Sequence, residues 1–309
     1  SKDLIRLKKS SKKLLKSNLP KLFSKDKNRH KNFHVTYSNI SFDFSKNFID
    51  TAIKKLIQQT FINDDLKNNI EKLLNGEVVN NTENRRVGHF WLRNNFENHR
   101  ISGFQKQIKV EEDRFLKFAD DVRNGNIKSF KNETFTDVIS VGIGGSDLGP
   151  NMVYQALMKS HDGKVNVHFI SNLDQVYLDT VLNKLNPDRT LILIISKTFT
   201  TLETLENAKY IKKWLQGNDV KKDVSSNIVA ITTDQTQSEK FGIGKEKTFL
   251  FWDWIGGRYS LFSAVGLSIA LGYGSKFFIE LKHGAGDFDK VLTKCELKDN
   301  PSFWHAVIS

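Results

Sequence analysis

The spacing of apolar positions changes character near residue 135. Before it, apolar residues recur at helical intervals. Ile49, Ala52, Ile53, Leu56 and Ile57 follow an i, i+3, i+4 pattern and predict a helix over 46–60. A second helix is expected over 64–74, with Gly76 as its stop. Phe115, Phe118, Ala119 and Val122 share one face of a third, over 111–123, with Gly125 behind it. Residues 1–35 read as short helical pieces, with Leu4, Leu7, Leu14 and Leu15 as an apolar edge and Pro20 breaking the run. The first third is thus expected to be mainly helical.

After residue 135, short β-branched runs alternate with helical stretches. The runs are TDVISV (136–141), VNVHFI (165–170), TLILII (190–195) and NIVAIT (227–232). Helices are expected over 149–159, 173–185 and 201–215. Strands without apolar/polar alternation are buried on both faces, and strands alternating with helices imply right-handed crossovers. The fold class is α/β, a doubly wound parallel sheet behind a helical N-terminal segment. Ligands of such sheets bind beyond the carboxyl ends of the strands.

Three segments follow from that rule. Gly142-Ile143-Gly144-Gly145-Ser146-Asp147-Leu148-Gly149-Pro150 leaves the first strand. It fails as a dinucleotide fingerprint because Asp147 stands where the third glycine belongs, and no GK[ST] follows. It fails as a nucleophile elbow because Leu148 replaces the needed glycine. Two readings stay open: an anion at a helix N-terminus, or tight strand–helix packing. Ser196-Lys197-Thr198-Phe199-Thr200-Thr201 leaves the most apolar strand. Its hydroxyls and lysine suit a dianionic phosphate, while helix capping would occupy one hydroxyl but not four. Phe251-Trp252-Asp253-Trp254-Ile255-Gly256-Gly257-Arg258-Tyr259-Ser260 sets an arginine turn in an aromatic frame, with an apolar helix expected over 261–271. Such an arginine binds phosphate, stabilises a developing oxyanion, or forms a structural ion pair.

Composition narrows the class. The chain has 309 residues, 39% of them hydrophobic and 27% charged, ordinary globular usage that supports a real core. Its one cysteine, Cys295, forms no internal disulfide, which favours a reducing, cytoplasmic setting. The longest apolar stretch, 261–273, falls short of the about 20 residues that span a membrane. The charged N-terminus has no signal-peptide core. Residues 1–33 hold 12 Lys/Arg against two Asp/Glu and so carry +10 of the net +12. That segment reads as a solvated lysine face; nucleic-acid binding would want arginines and stacking aromatics, and only Phe23 and Phe33 are present. The eight histidines show no HExxH-like spacing, so no metal is expected. His168 reads as a core or edge histidine, His89 as structural, and Cys295 as inert.

Taken together, GIGGSDLGP, SKTFTT and FWDWIGGRYSLFSAVGLSIAL resemble the phosphoglucose isomerase family in order and spacing. VHFISNLD (167–174) and the ENRR…H…LR stretch (83–93) match as well. The resemblance runs from about residue 20 to the end of the chain and implies a sugar-isomerase (SIS) α/β domain. It implies interconversion of glucose 6-phosphate and fructose 6-phosphate through a cis-enediol(ate), with no cofactor, in a cytoplasmic homodimer. Ser196, Thr198 and Thr201, with the Lys197 backbone and Thr200 in the same loop, would hold the phosphate. Gly145 and Ser146 would contact the sugar or phosphate edge, and Gly257 and Arg258 the reacting end, with Arg258 on the intermediate. Leu202 stands where the family has glutamine, and Gly88 and Trp91 also depart from its pattern. The family's glutamate base lies in a QQxxMESxGK-like segment that does not occur here. The expectation is therefore a fragment: a helical part over 1–110, an SIS-type domain over 111–290, and at 291–309 the start of a connection to a second SIS domain. A non-catalytic SIS-type sugar-phosphate sensor is the alternative. Membrane and nucleic-acid partners are not expected.

Overall fold

A computed structural model describes residues 2–93 and 98–308. They form two compact units: Asn80–Ala285, and Ser1–Val79 with Gly286–Ser309.

The Asn80–Ala285 unit is built on a five-stranded sheet. Its elements are α1 (Ser102–Arg123), β1 (Asp137–Val141), α2 (Gly145–Ala156), β2 (Asn166–Ile170), α3 (Gln175–Leu182), β3 (Thr190–Ile195), α4 (Leu202–Gln216), β4 (Ile228–Thr232), α5 (Gln235–Lys240), β5 (Thr248–Leu250), α6 (Leu267–Tyr273) and the start of α7 (Ser275–Lys294). The strand order is β2-β1-β3-β4-β5, and every pairing is parallel. In register, Val141 lies beside Ile170 on one side and Ile194 on the other. All of β3 and β4 is buried, as unalternating runs require. Ile139, Val141, Ile192, Ile194 and Ala230 form one core with Leu178 and Leu182 of α3 and Ala208, Ile211 and Leu215 of α4. The other face takes α6, which packs on β1 and β2. There Gly272 leaves room for Tyr154 and Val167: a Cβ on it would lie 3.0 and 3.2 Å from their atoms. Strand order reverses between β1 and β3, and such a reversal opens a crevice at the carboxyl edge. The glycine loop leaves β1 and the hydroxyl loop leaves β3, one on each side of it.

The other unit places the helices Lys2–Leu14, Leu19–Lys25, Thr51–Phe61, Asp64–Leu74 and Pro301–Ile308 with a hairpin of His34–Tyr37 and Ile40–Asp43. Phe33, Phe44, Ile53, Ile57, Phe303 and Trp304 make its core, with Phe44 stacked on Trp304 at 4.9 Å. Arg29 is buried there; its Nε donates to the Ser45 carbonyl (2.6 Å) and its Nη2 to those of Asn47 and Ile49 (2.8 Å). Pro20 sits in the first turn of Leu19–Lys25, where its missing N–H costs no bond.

The four predicted strands form, and the sheet adds a fifth, β5. The hairpin interrupts the expected run of helices. Residue 110 lies inside α1, and Gly286–Ser309 groups with the N-terminal residues. Helix α2 starts at Gly145 rather than 149, with Pro150 tolerated inside it. The apolar helix expected from 261 begins only at Leu267. Before it the chain makes two 3-10 turns broken at Ser263, whose backbone is extended and whose Oγ accepts from Val265 N (3.2 Å).

Candidate functional site

The glycine loop begins where β1 ends. Gly144, at φ +59°, turns the chain into α2 in a backbone region that side chains rarely enter. Gly145 then abuts the arginine turn: a Cβ on it would lie 2.6 Å from Gly257 Cα. The Ser260 hydroxyl spans the contact, donating to the carbonyls of Gly257 (2.8 Å) and Gly145 (3.3 Å). Close packing thus accounts for the glycine at 145. Ser146 is half-buried, and its hydroxyl makes no hydrogen bond among the described residues. Asp147 is buried in the first turn of α2, and burial raises its carboxyl above the usual range.

The hydroxyl loop is fixed at its centre by Phe199, a buried residue at φ +53°. That conformation is uncommon for a bulky side chain and persists only where the surroundings enforce it. The phenyl ring sits in the sheet core edge-on to Phe241. Thr198 and Thr200 on either side of it are exposed, with their hydroxyls 2.7 Å apart. Ser196 Oγ donates to Thr201 Oγ1 at 3.1 Å. Thr201 is the N-cap residue of α4, yet its side chain makes no capping bond. The capping alternative therefore does not use up its hydroxyl.

Lys197 ties this loop to two others. Its carbonyl accepts from Thr233 N (2.9 Å), Thr233 Oγ1 (2.7 Å) and Thr232 Oγ1 (3.1 Å), at the end of β4. Its Nζ donates to the carbonyls of Asp253 (2.8 Å) and Ile255 (3.1 Å) in the aromatic segment. Burial, then the nearby Arg85 charge, holds this ammonium below its ordinary value. Arg85 Nη1 reaches the same Asp253 carbonyl at 3.4 Å.

The arginine turn rests on stacked rings. Trp252 stacks on Trp254 at 5.1 Å, Trp254 meets Trp91 at 5.0 Å, and Trp91 stacks on Phe104 at 5.0 Å. Gly88 N donates to the Trp254 carbonyl (3.2 Å), which brings in the 83–93 stretch. Next to it, the His89 ring lies on Tyr259 at 4.5 Å. His89 Nδ1 is buried with no hydrogen-bond partner among the described residues, and burial, with the Arg93 charge adding to it, lowers its pKa to about 4. Arg258 is exposed and makes no ion pair or hydrogen bond among the described residues, so the structural ion pair is not the arrangement found.

The three predicted segments thus meet through Gly145–Gly257 and through Lys197 to Asp253 and Ile255. The sequence did not single out the Lys197 side chain as a tie, nor the stack of His89 on Tyr259. A signal for the second existed, since His89 lies in a stretch that matched the family. Elsewhere, His168, midway along β2, pairs with Asp137 (2.9 Å) at the amino end of β1. Cys295 is partly buried, and burial raises its thiol. Among the described residues no three His, Cys, Asp or Glu gather as a metal set, and no helix is long and apolar enough to cross a membrane.

A family model described as phosphoglucose isomerase matches residues 43–309. The chain belongs to the phosphoglucose isomerase family. It is 39% identical over 286 residues to the glucose-6-phosphate isomerase of Saccharophagus degradans, covering 92% of this chain and 52% of that protein. It is 42% identical over 300 residues to that of Wigglesworthia glossinidia brevipalpis, covering 95% and 54%. The chain therefore spans about half the length of the curated relatives it matches. Its fold is similar to the crystal structure of a glucose-6-phosphate isomerase from Chlamydia trachomatis, with a TM-score of 0.84 at 23% identity over 100% of this chain and 59% of that one. The parallel sheet unit is the SIS-type α/β fold expected of a member of this family.

Proposed function

We propose that this chain forms part of an aldose–ketose isomerase interconverting glucose 6-phosphate and fructose 6-phosphate. The observation that carries the reading is the convergence of a hydroxyl loop, a glycine loop and an exposed arginine, unpaired among the described residues, at the reversal of a parallel sheet. Ser196, Thr198, Thr200 and Thr201, with the Lys197 N–H, hold the phosphate. Gly145 and Ser146 lie at the sugar or phosphate edge. Gly257 shapes the reacting end. Arg258 stabilises the enediolate, whose charge appears only as the C2 proton leaves. A carboxylate takes the proton from C2 and returns it to C1, and an acid/base group opens the ring. The QQxxMESxGK-like segment that would supply that carboxylate does not occur in this sequence; relatives have about twice its length. The active protein is a cytoplasmic homodimer whose partner is a sugar phosphate, not a nucleic acid or a membrane. The segment 291–309 leads toward a second SIS domain.

The test uses a chain of full family length. Arg258→Ala is expected to lower kcat about 100-fold, the scale of losing one oxyanion donor. Thr198→Val with Thr200→Val is expected to raise KM and weaken inorganic phosphate binding about tenfold per bond lost, with melting unchanged because both hydroxyls are exposed. Native kcat in Arg258→Ala overturns the reading. Phosphate binding without any isomerisation by the unaltered chain favours the sensor instead.

A further inference from the structure

We propose that Lys197 is a positioning residue: its ammonium straps the phosphate-holding loop to the arginine turn, so that gripping the phosphate and placing Arg258 become one event. This rests on the functional reading above and deepens it. The sequence offers Lys197 as a cation for the phosphate, but its side chain is spent elsewhere. The Nζ is engaged by two carbonyls, Asp253 at 2.8 Å and Ile255 at 3.1 Å. Ile255 is buried and lies two residues before Gly257, so the bond fixes the main chain just where the turn begins. At the other end the Lys197 carbonyl accepts three hydrogen bonds from Thr232 and Thr233. The residue is thus anchored to the sheet through its backbone and to the arginine turn through its tip. Between these anchors run the atoms expected to hold the phosphate, the Lys197 N–H and the neighbouring Ser196 and Thr198. A charged donor makes stronger bonds to carbonyls than a neutral one, and a half-buried one is little screened. Without it the aromatic segment keeps its ring stacking, but the loop before Gly257 loses its tie to β3. Arg258 then samples positions off the reacting carbons, and displacements near 1 Å cost about 100-fold in rate.

The experiment compares Lys197→Met, Lys197→Arg and the unaltered chain at full family length. Lys197→Met is expected to lower kcat about 100-fold. Fructose 6-phosphate KM and the affinity for inorganic phosphate, measured by calorimetry, should stay within about fivefold, since hydroxyls and backbone hold that group. Lys197→Arg keeps a charged donor and should recover at least part of kcat. In an Arg258→Ala background, Lys197→Met should add no more than about threefold, because it acts through Arg258. Lys197→Gln, an uncharged variant with an amide donor, carries the same comparison if the methionine variant does not fold. The proposal is overturned if kcat stays native, if phosphate affinity collapses while kcat holds, or if Lys197→Met costs the same factor with and without Arg258. An unaltered chain that does not isomerise, or an Arg258→Ala variant at native kcat, defeats the functional reading instead and is told apart by that.

Discussion

Gly145 and Gly257 meet main chain to main chain, with Ser260 donating to both carbonyls. The contact is asymmetric. A Cβ on Gly145 would collide with Gly257, whereas a Cβ on Gly257 would sit 3.7 Å from Gly145 Cα, an ordinary contact. Gly145→Ala is therefore expected to destabilise by about 1–3 kcal/mol through overpacking. Gly257→Ala should stay within about 0.5 kcal/mol of the native protein. Urea unfolding of both variants checks the pair, and equal midpoints would contradict the asymmetry.

His89 makes stability depend on pH. Its folded pKa is about 4 against an ordinary 6.5, so between those values the unfolded chain binds more protons. The neutral ring's contribution is complete above pH 6.5 and is lost as pH falls toward 4. The loss is of the order of 2–3 kcal/mol. Because Nδ1 has no hydrogen-bond partner among the described residues, His89→Phe keeps the stack on Tyr259 and leaves little unsatisfied. Unfolding free energies measured at pH 7 and pH 4.5 should differ less in His89→Phe than in the native protein. An unchanged difference would assign the pH dependence to other groups.

Glu112 of α1 and Lys282 of α7 form an ion pair that is almost wholly buried. Removing one partner strands the other charge in the interior. Lys282→Met is expected to cost about 3–5 kcal/mol, and adding Glu112→Leu should recover most of it. Thermal melting of the single and double variants reads this directly; a double variant as unstable as the single one would rule it out.

The sheet was legible because its central strands are runs of Val, Ile and Leu that only a doubly covered position accommodates. Strand β5 escaped because Thr248–Leu250 is three residues long and merges with the aromatic segment. The hairpin escaped because its strands are four residues each and mostly exposed, so no apolar run marks them. In the site, three segments could be picked out by residue type, since glycines, hydroxyls and an arginine advertise their chemistry. Where the Lys197 ammonium points could not be read, because lysine pattern carries no information about which distant carbonyls it reaches. His89 read as structural for a related reason: a lone histidine betrays neither its stacking partner nor its missing hydrogen bond.

Every strand pair of the sheet is parallel, and parallel neighbours cannot be joined by a tight hairpin. Ser260 and Gly145, whose hydrogen bond joins the arginine turn to the glycine loop, are 115 residues apart. A chain emerging from the ribosome thus exposes its glycine loop long before the arginine turn exists to cover it. On the proposed reading, a sugar phosphate meets no joined set of loops until translation has passed that turn, so any protection by ligand against misfolding or proteolysis begins only then.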